Sequence, residues 1–498
     1  MSRAVTEALV DAAEVAAILQ PRDGVIEERA AGDGRFEAVS GPMRTYERRV
    51  TTTAEDGQVR LRQEVEWQLD IPYFHWLFDF LFRSEVRKLR PHGAQNMPWW
   101  HPPGRVDRRA AGVLGVLAAV SIAFGYLNTL FSQSIAFAAE QFNANDAAQG
   151  LAGSAVRIGG VLALVLIASA DRFGRRRLIL VSVVVGCLAA ASGALAPSLP
   201  WLTASQLIAR AFSGTLLVVV GIAAAEEMPA GARAYAISVL ALASGFGAGI
   251  CVAALRIADL GIGAWRILYV LPLLALPFTR GIARRLPESK RYAAPHKEVS
   301  LRGHGARLLL LGVSGFVYNL YIAPASQFSN RFLRVERGYS GGGIALLSLA
   351  TGTPSGLAVV LGGRLADSRG RRLVGATTLV VGTGLDIAFY FTRGASMWSL
   401  AFLSSLVFDA SIPALAVYGP ELFPTSLRGR ANGIIAVTSL AGSALGLALA
   451  GYLADRFNRI GPALAVVAIG PLLLAALVIT RYPETAHREL EDINPEDQ

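Results

Sequence analysis

A short basic loop, Asp171-Arg-Phe-Gly-Arg-Arg-Arg177, lies between two long apolar runs and returns as Asp367-Ser-Arg-Gly-Arg-Arg372 between two others. The offset from Asp171 to Asp367 is 196 residues. Glu226-x-x-Pro229-x-x-x-Arg233 recurs as Glu421-x-x-Pro424-x-x-x-Arg428 at an offset of 195, and Pro287-Glu288 recurs as Pro483-Glu484 at 196. Three charged motifs at one spacing mean that the apolar part of the chain is two copies of one unit. A doubled membrane bundle of this kind is the architecture of secondary transporters.

Composition agrees. Of the 498 residues, 53% are hydrophobic and 17% charged, against roughly 25% charged in soluble domains. From about Ala111 the chain forms apolar runs of about 20 residues, each matching one bilayer crossing. Twelve spans are expected at 111–133, 148–170, 177–197, 201–225, 234–257, 264–283, 305–328, 341–364, 373–393, 396–419, 430–452 and 459–480. The fold class is therefore an all-α polytopic membrane protein. Its expected parts are an extension at 1–108, a six-helix half at 109–283, a linker at 284–304, a second half at 305–480 and a tail at 481–498.

The net charge of +10 resides mostly in short loops on one side, which the positive-inside bias explains better than nucleic-acid binding. That bias places both termini in the cytoplasm of a plasma-membrane protein. Arg331, Arg334 and Arg337 are exceptions that would be external, read as a solvated loop. Cys187 and Cys251 fall inside apolar runs as packing residues, and no histidine spacing suggests a metal. The N-terminus has no short apolar stretch before a cleavage site, so no signal peptide is expected.

In the extension, Val5 to Leu19 reads as a helix ended by Pro21. Val59, Leu61, Val65, Trp67 and Leu69 alternate with polar residues after Asp56-Gly57, the pattern of a β-hairpin. The aromatic segment Pro72 to Phe82, followed by Arg83, Arg87, Lys88 and Arg90, is too short to span. It reads equally as an interfacial segment or as the core of a small α+β cap.

The loop motifs, with Gly363-Arg-Leu-Ala-Asp367, Pro420-Glu-Leu-Phe-Pro-Thr-Ser-Leu-Arg-Gly-Arg430, Leu286-Pro-Glu-Ser-Lys-Arg-Tyr292 and Arg210-Ala-Phe-Ser-Gly214, resemble the major facilitator superfamily over about residues 109–491. The set is most similar to the sugar-porter-like and aromatic-acid-symporter-like branches. Departures exist: Ile167 stands where the family has glycine, span five lacks a Gly-Pro element, and span one lacks paired aspartates. The resemblance implies gating roles for Asp171, Gly174, Arg175, Arg176, Glu226 and Arg233, and by the repeat for Gly363, Asp367, Gly370, Arg371, Glu421 and Arg428. Arg175 is expected to pair with Glu226, in contacts that must break before the inner side opens.

Four charges lie deep within spans: Arg157, Arg210, Asp386 and Asp409. A charge at that depth costs at least roughly 2.5–3.5 kcal/mol unless paired or hydrated, so such positions tend to be functional. The expected division is a coupling proton on Asp409 (Asp386 second) and an anionic group on Arg210 and Arg157. Spans one and seven carry Tyr126, Asn128 and Gln133, and Tyr318, Asn319, Tyr321 and Gln327. The resemblance implies that these two spans line the central cavity, where amides and phenols bind a polar solute.

The expected function is secondary active transport of a small polar or anionic organic solute by alternating access, as a proton symporter. Alternatives are sugar or polyol transport, export, or a membrane sensor signalling through the extension. The expected partners are a small-molecule substrate, protons and the lipid bilayer, with no nucleic acid, no cofactor and a monomeric state. With no nucleophile–base set or phosphate loop, an enzyme is not expected.

Overall fold

The computed structural model describes residues 2–55, 58–89, 93, 97–98, 100–102, 104–168, 174–229, 232–286, 303–423 and 427–485. Twelve helices in them are long and apolar enough to cross a membrane. They are span one (Arg108–Phe142), two (Asp146–Ile167), three (Arg175–Leu195), four (Leu199–Ala224), five (Tyr235–Leu260) and six (Trp265–Arg285), then seven (Gly305–Glu336), eight (Gly341–Ala366), nine (Arg371–Phe391), ten (Gly394–Ala416), eleven (Arg430–Phe457) and twelve (Ile460–Arg481). Each lies within five residues of its expected place, except that span seven ends eight residues late and span one nine. Span one continues through Ser134, whose hydroxyl bonds back to Leu130 O, and ends at Asn143 in the left-handed conformation.

The repeat is visible in the backbone. Gly174 and Gly370, 196 residues apart, have φ of 84° and 96° at the starts of spans three and nine. That conformation favours glycine, which explains the residue in both loops. Within each half, equivalent helices cross at glycine. A Cβ on Gly247 of span five would lie 2.0 Å from Ile122 O of span one, and one on Gly442 of span eleven 2.1 Å from Phe316 O of span seven. Neighbouring Gly245 and Gly249 face open space. In the second loop motif the close approach belongs to Gly362, against the Ala410 backbone, while the expected Gly363 makes only ordinary contact with Pro413. Adjacent residues on a helix point about 100° apart, and only one of the two can face the neighbour.

The extension is a five-stranded antiparallel sheet, β1 (Ser2–Val10), β2 (Glu27–Gly32), β3 (Arg35–Ser40), β4 (Met43–Glu55) and β5 (Gln58–Leu69), in the order β1-β5-β4-β3-β2. It carries two helices, α1 (Ala12–Ile18) and α2 (His75–Val86). The expected hairpin is β4–β5, with Leu61, Val65, Trp67 and Leu69 buried; Asp56-Gly57 lies outside the described residues. The expected helix from Val5 is corrected. Residues up to Val10 form a strand, because they pair along β5 and bury Ala4 and Val10 on one face, and only the stretch after Asp11 is helical. Beneath the sheet, buried Arg48 contacts Glu28 at 2.6 Å, and Tyr46 donates to the same carboxylate at 2.5 Å.

The extension joins the bundle at the end that carries the basic loops. Arg108 of span one and Arg285 of span six bond the Asp70 carboxylate at 2.6 and 2.8 Å. Burial alone would raise this carboxyl, but the two arginine bonds outweigh it and hold it below the usual range.

Candidate functional site

The halves meet at the end away from the basic loops. There Asn330 of span seven donates to Gln133 Oε1 of span one at 2.8 Å, and Gln327 donates to Gln149 O of span two at 3.0 Å. Arg331 pairs with Asp146 at 2.7 Å and Arg334 with Glu140 at 2.6 Å. Arg337 donates to Tyr390 O and Thr392 O. The expectation of a merely solvated loop is thus corrected: Arg331 and Arg334 tie one half to the other, because the repeat places acidic helix ends opposite them.

Two further contacts at this end form a symmetric set. The Asp455 carboxylate, at the end of span eleven, accepts the N–H groups of Asp146 and Ala147 at the start of span two, at 2.8 and 3.0 Å. The Asp259 carboxylate, at the end of span five, accepts those of Gly341 and Gly342 at the start of span eight, at 2.6 and 2.8 Å. Asp259 and Asp455 are 196 residues apart. Each carboxylate sits where a helix presents unpaired N–H groups and a positive dipole end. Sequence reasoning missed this pair, although the repeat offset that exposed the loop motifs was the signal for it.

The basic-loop end is built differently. Arg175 pairs with Glu226 as expected, and Arg371 pairs with Glu421 at 2.5 Å. Both pairs lie within one half. Among the described residues, the bonds between the halves gather at the opposite end. Arg176 donates to Ala283 O, also inside its own half, and Arg233 is exposed. Glu484, of the repeated Pro-Glu motif, accepts the N–H groups of Arg371 and Arg372 at 3.1 and 3.2 Å, just after Gly370. Asp171 lies outside the described residues, as do the side chains of Asp367 and Arg428 and the segment with Pro287-Glu288.

Between the halves lies a cavity of about 270 Å³. Arg157 of span two, Arg210 of span four, Asn128 and Gln133 of span one, and Asn319 and Gln327 of span seven line it. Arg210 donates to Asn128 O at 3.1 Å. Among the described residues, neither guanidinium meets a carboxylate, and Arg157 has no hydrogen-bond partner. Gln206 also faces the cavity and was not singled out in the sequence; nothing there distinguished it from a packing residue.

A second cavity, about 310 Å³, lies among spans seven to ten and is lined by Asp386, Asp409, Tyr321, Ser348 and Thr351. Tyr321 donates to Asp386. Asp409 stands where the first helical stretch of span ten ends. Ile322 and Ser326 of span seven line both cavities and connect the aspartates to the arginines. Two expected cavity residues lie elsewhere. Tyr126 donates to Leu268 O at 2.8 Å and is buried in the packing of its own half, and Tyr318 packs its ring on Phe408 at 5.9 Å. Tyr126 projects into the helix packing of its own half, which sequence spacing along a helix does not fix, whereas Tyr318 sits beside Phe408, which lines the second cavity.

A family model described as Major Facilitator Superfamily matches residues 115–320 and 308–497. The chain is 33% identical over 111 residues to a D-xylose transporter of Levilactobacillus brevis, covering 22% of this chain and 24% of that one. It is 33% identical over 164 residues to a multi-drug resistance efflux pump PmrA homolog of Lactococcus lactis, covering 31% and 38%. The matches therefore span about a quarter to two-fifths of the curated relatives. Among solved structures, the xylose transporter XylE from E. coli in an inward open conformation has a TM-score of 0.63 at 19% identity, covering 78% of this chain and 99% of that one. The nucleoside transporter NupG has a TM-score of 0.61 at 14% identity, covering 74% and 100%. A bacterial homolog of the human lysosomal transporter Spinster, inward-facing and occupied, has a TM-score of 0.63 at 15% identity, covering 78% and 97%.

Proposed function

Because this chain belongs to the major facilitator superfamily and is a membrane transporter, we propose that it moves a small hydroxylated organic anion together with a proton. The observation that carries this reading is the pair Arg157 and Arg210, lining the inter-half cavity with no carboxylate partner among the described residues. A buried cation without a counter-charge is costly, and a solute carboxylate relieves that cost. Two guanidiniums offer bidentate bonds to one carboxylate. Asn128, Gln133, Gln206, Asn319 and Gln327 supply donors and acceptors for hydroxyl groups on the rest of the solute.

In this reading the proton sits on Asp409 or Asp386, in the cavity joined to the first through Ile322 and Ser326. A monoanion moving with one proton carries no net charge across the membrane. The positive-inside bias makes the basic-loop end cytoplasmic, so the described inter-half bonds close the outside and the structure faces inward. Alternating access then consists of exchanging the outer contacts, with Asp259 and Asp455 as symmetric clamps, for contacts among the basic loops. The chain works as a monomer in the plasma membrane.

A second reading, neutral sugars or polyols, is favoured by the amide lining and by the name of the D-xylose relative. Binding to the purified full chain separates the two. Hydroxy acids are expected to bind, neutral polyols of the same carbon skeleton to bind far more weakly, and Arg210→Gln to remove the difference. Equal binding of acid and polyol, unchanged in that variant, would refute the anionic reading.

A further inference from the structure

Helix α2 turns two apolar faces outward from one axis. Phe78, Phe82 and Val86 pack on the sheet, and Trp67 Nε1 holds Asp79 at 2.7 Å. On the other side Trp76, Leu77 and Phe80 are 66%, 50% and 76% exposed. Three large apolar side chains on one turn of a 12-residue helix are not what a water-facing cap presents. Further along the same side Arg83 and Arg87 are exposed, and beside them Lys88 is exposed with its ammonium 2.8 Å from the buried Glu85. The sequence leaves open whether this segment is core or interface, and the structure uses it on both sides.

What covers the outer face follows from where the helix starts. Pro72 lies against Gly115 of span one, and Tyr73 lies over Gly281 and edge-on to Phe278 of span six, with ring centroids 4.7 Å apart. Tyr73 takes a left-handed backbone conformation, φ 65°, which turns the chain off the bundle into α2. Phe278 and Leu274 are themselves exposed at 37% and 70% on span six, apolar side chains of the kind that a membrane helix turns to lipid. The aromatic face of α2 therefore continues a lipid-facing surface at the basic-loop end. We propose that α2 is an interfacial anchor: Trp76, Leu77 and Phe80 enter the headgroup layer beside span six, and Arg83, Arg87 and Lys88 bind anionic headgroups. An aromatic turn followed by a basic one is the composition that binds the interface of a charged leaflet.

The test uses the full chain, one copy per nanodisc, made with brominated phosphatidylcholine with or without anionic phosphatidylglycerol. The fluorescence of the wild type minus that of Trp76→Phe isolates Trp76. The expected difference signal is blue-shifted, quenched by the bromines, and quenched more in the anionic discs. A water-like, unquenched signal would overturn the anchor. A blue shift without bromine quenching would mean that protein covers the face, and would equally overturn it. Quenching that ignores anionic lipid would overturn the role of the basic turn.

Discussion

In the N-terminal half the charges at mid-depth are arginines, Arg157 and Arg210; in the C-terminal half they are aspartates, Asp386 and Asp409. The same two halves share their glycine crossings, their loop glycines and their carboxylate clamps at an offset of 195 or 196 residues. At that offset the four deep charges have no charged counterpart: Thr353, Leu406, Ala190 and Ser213 stand at 196. In the proposed reading the repeat preserves what moves and abandons what binds: the N-terminal half offers cations to a solute, and the C-terminal half offers carboxylates to a proton.

The largest effect expected from breaking this division is on the arginines. Arg210→Gln or Arg157→Gln removes roughly 2–5 kcal/mol of anion affinity, the range for losing one partner of a buried charge pair, or tens- to thousands-fold in Kd. Isothermal titration with hydroxy acids reads it, and affinity for neutral solutes stays put. Next, Asp409→Asn stops proton-driven accumulation while leaving counterflow exchange, measured in the same vesicles. Retained uphill uptake in that variant moves the proton to Asp386.

The shared features predict matched effects. Gly247→Ala and Gly442→Ala each force a methyl group onto a carbonyl of the neighbouring helix, and each is expected to cost about 1–3 kcal/mol, seen as comparable losses of Tm in lipid. Asp259→Asn and Asp455→Asn each weaken a charge–dipole clamp worth about 0.3–2 kcal/mol, so both shift the population toward outward opening by a similar factor. Distances between labels across the outer end measure that shift, and a strong asymmetry would break the comparison. The smallest effect is on the extension. Because Asp70 is held below its ordinary range, its contribution is present above the unfolded pKa and is lost as pH falls through the folded one. Protease protection of the extension should therefore persist through mild acidification and fade only below the usual carboxylate range.

Much of this is legible in the sequence. Span positions follow from bilayer thickness, and the deep charges stand out because hydrocarbon makes them costly. The pair Arg175–Glu226 follows from the family resemblance, and Arg371–Glu421 from carrying it across the repeat. The outer clamps are only half legible: the 196-residue offset pairs Asp259 with Asp455, but no local pattern marks an aspartate at a helix end as a cap for a helix of the other half. The direction in which Tyr126 and Tyr318 point is hidden, being set by packing across helices. The first strand reads as helix because Ala, Glu, Leu and Val suit both, and the free edge of β5 decides the matter.

An anion bound by the arginines and accompanied by a proton leaves a direct signature. Sealed proteoliposomes with an internal pH dye read it, with hydroxy acids and matched neutral polyols added outside in turn. Acidification inside is expected on adding an acid substrate, none with the polyol, and the signal is lost in both Arg210→Gln and Asp409→Asn. Acidification driven by a neutral polyol and undiminished in Arg210→Gln would contradict this reading.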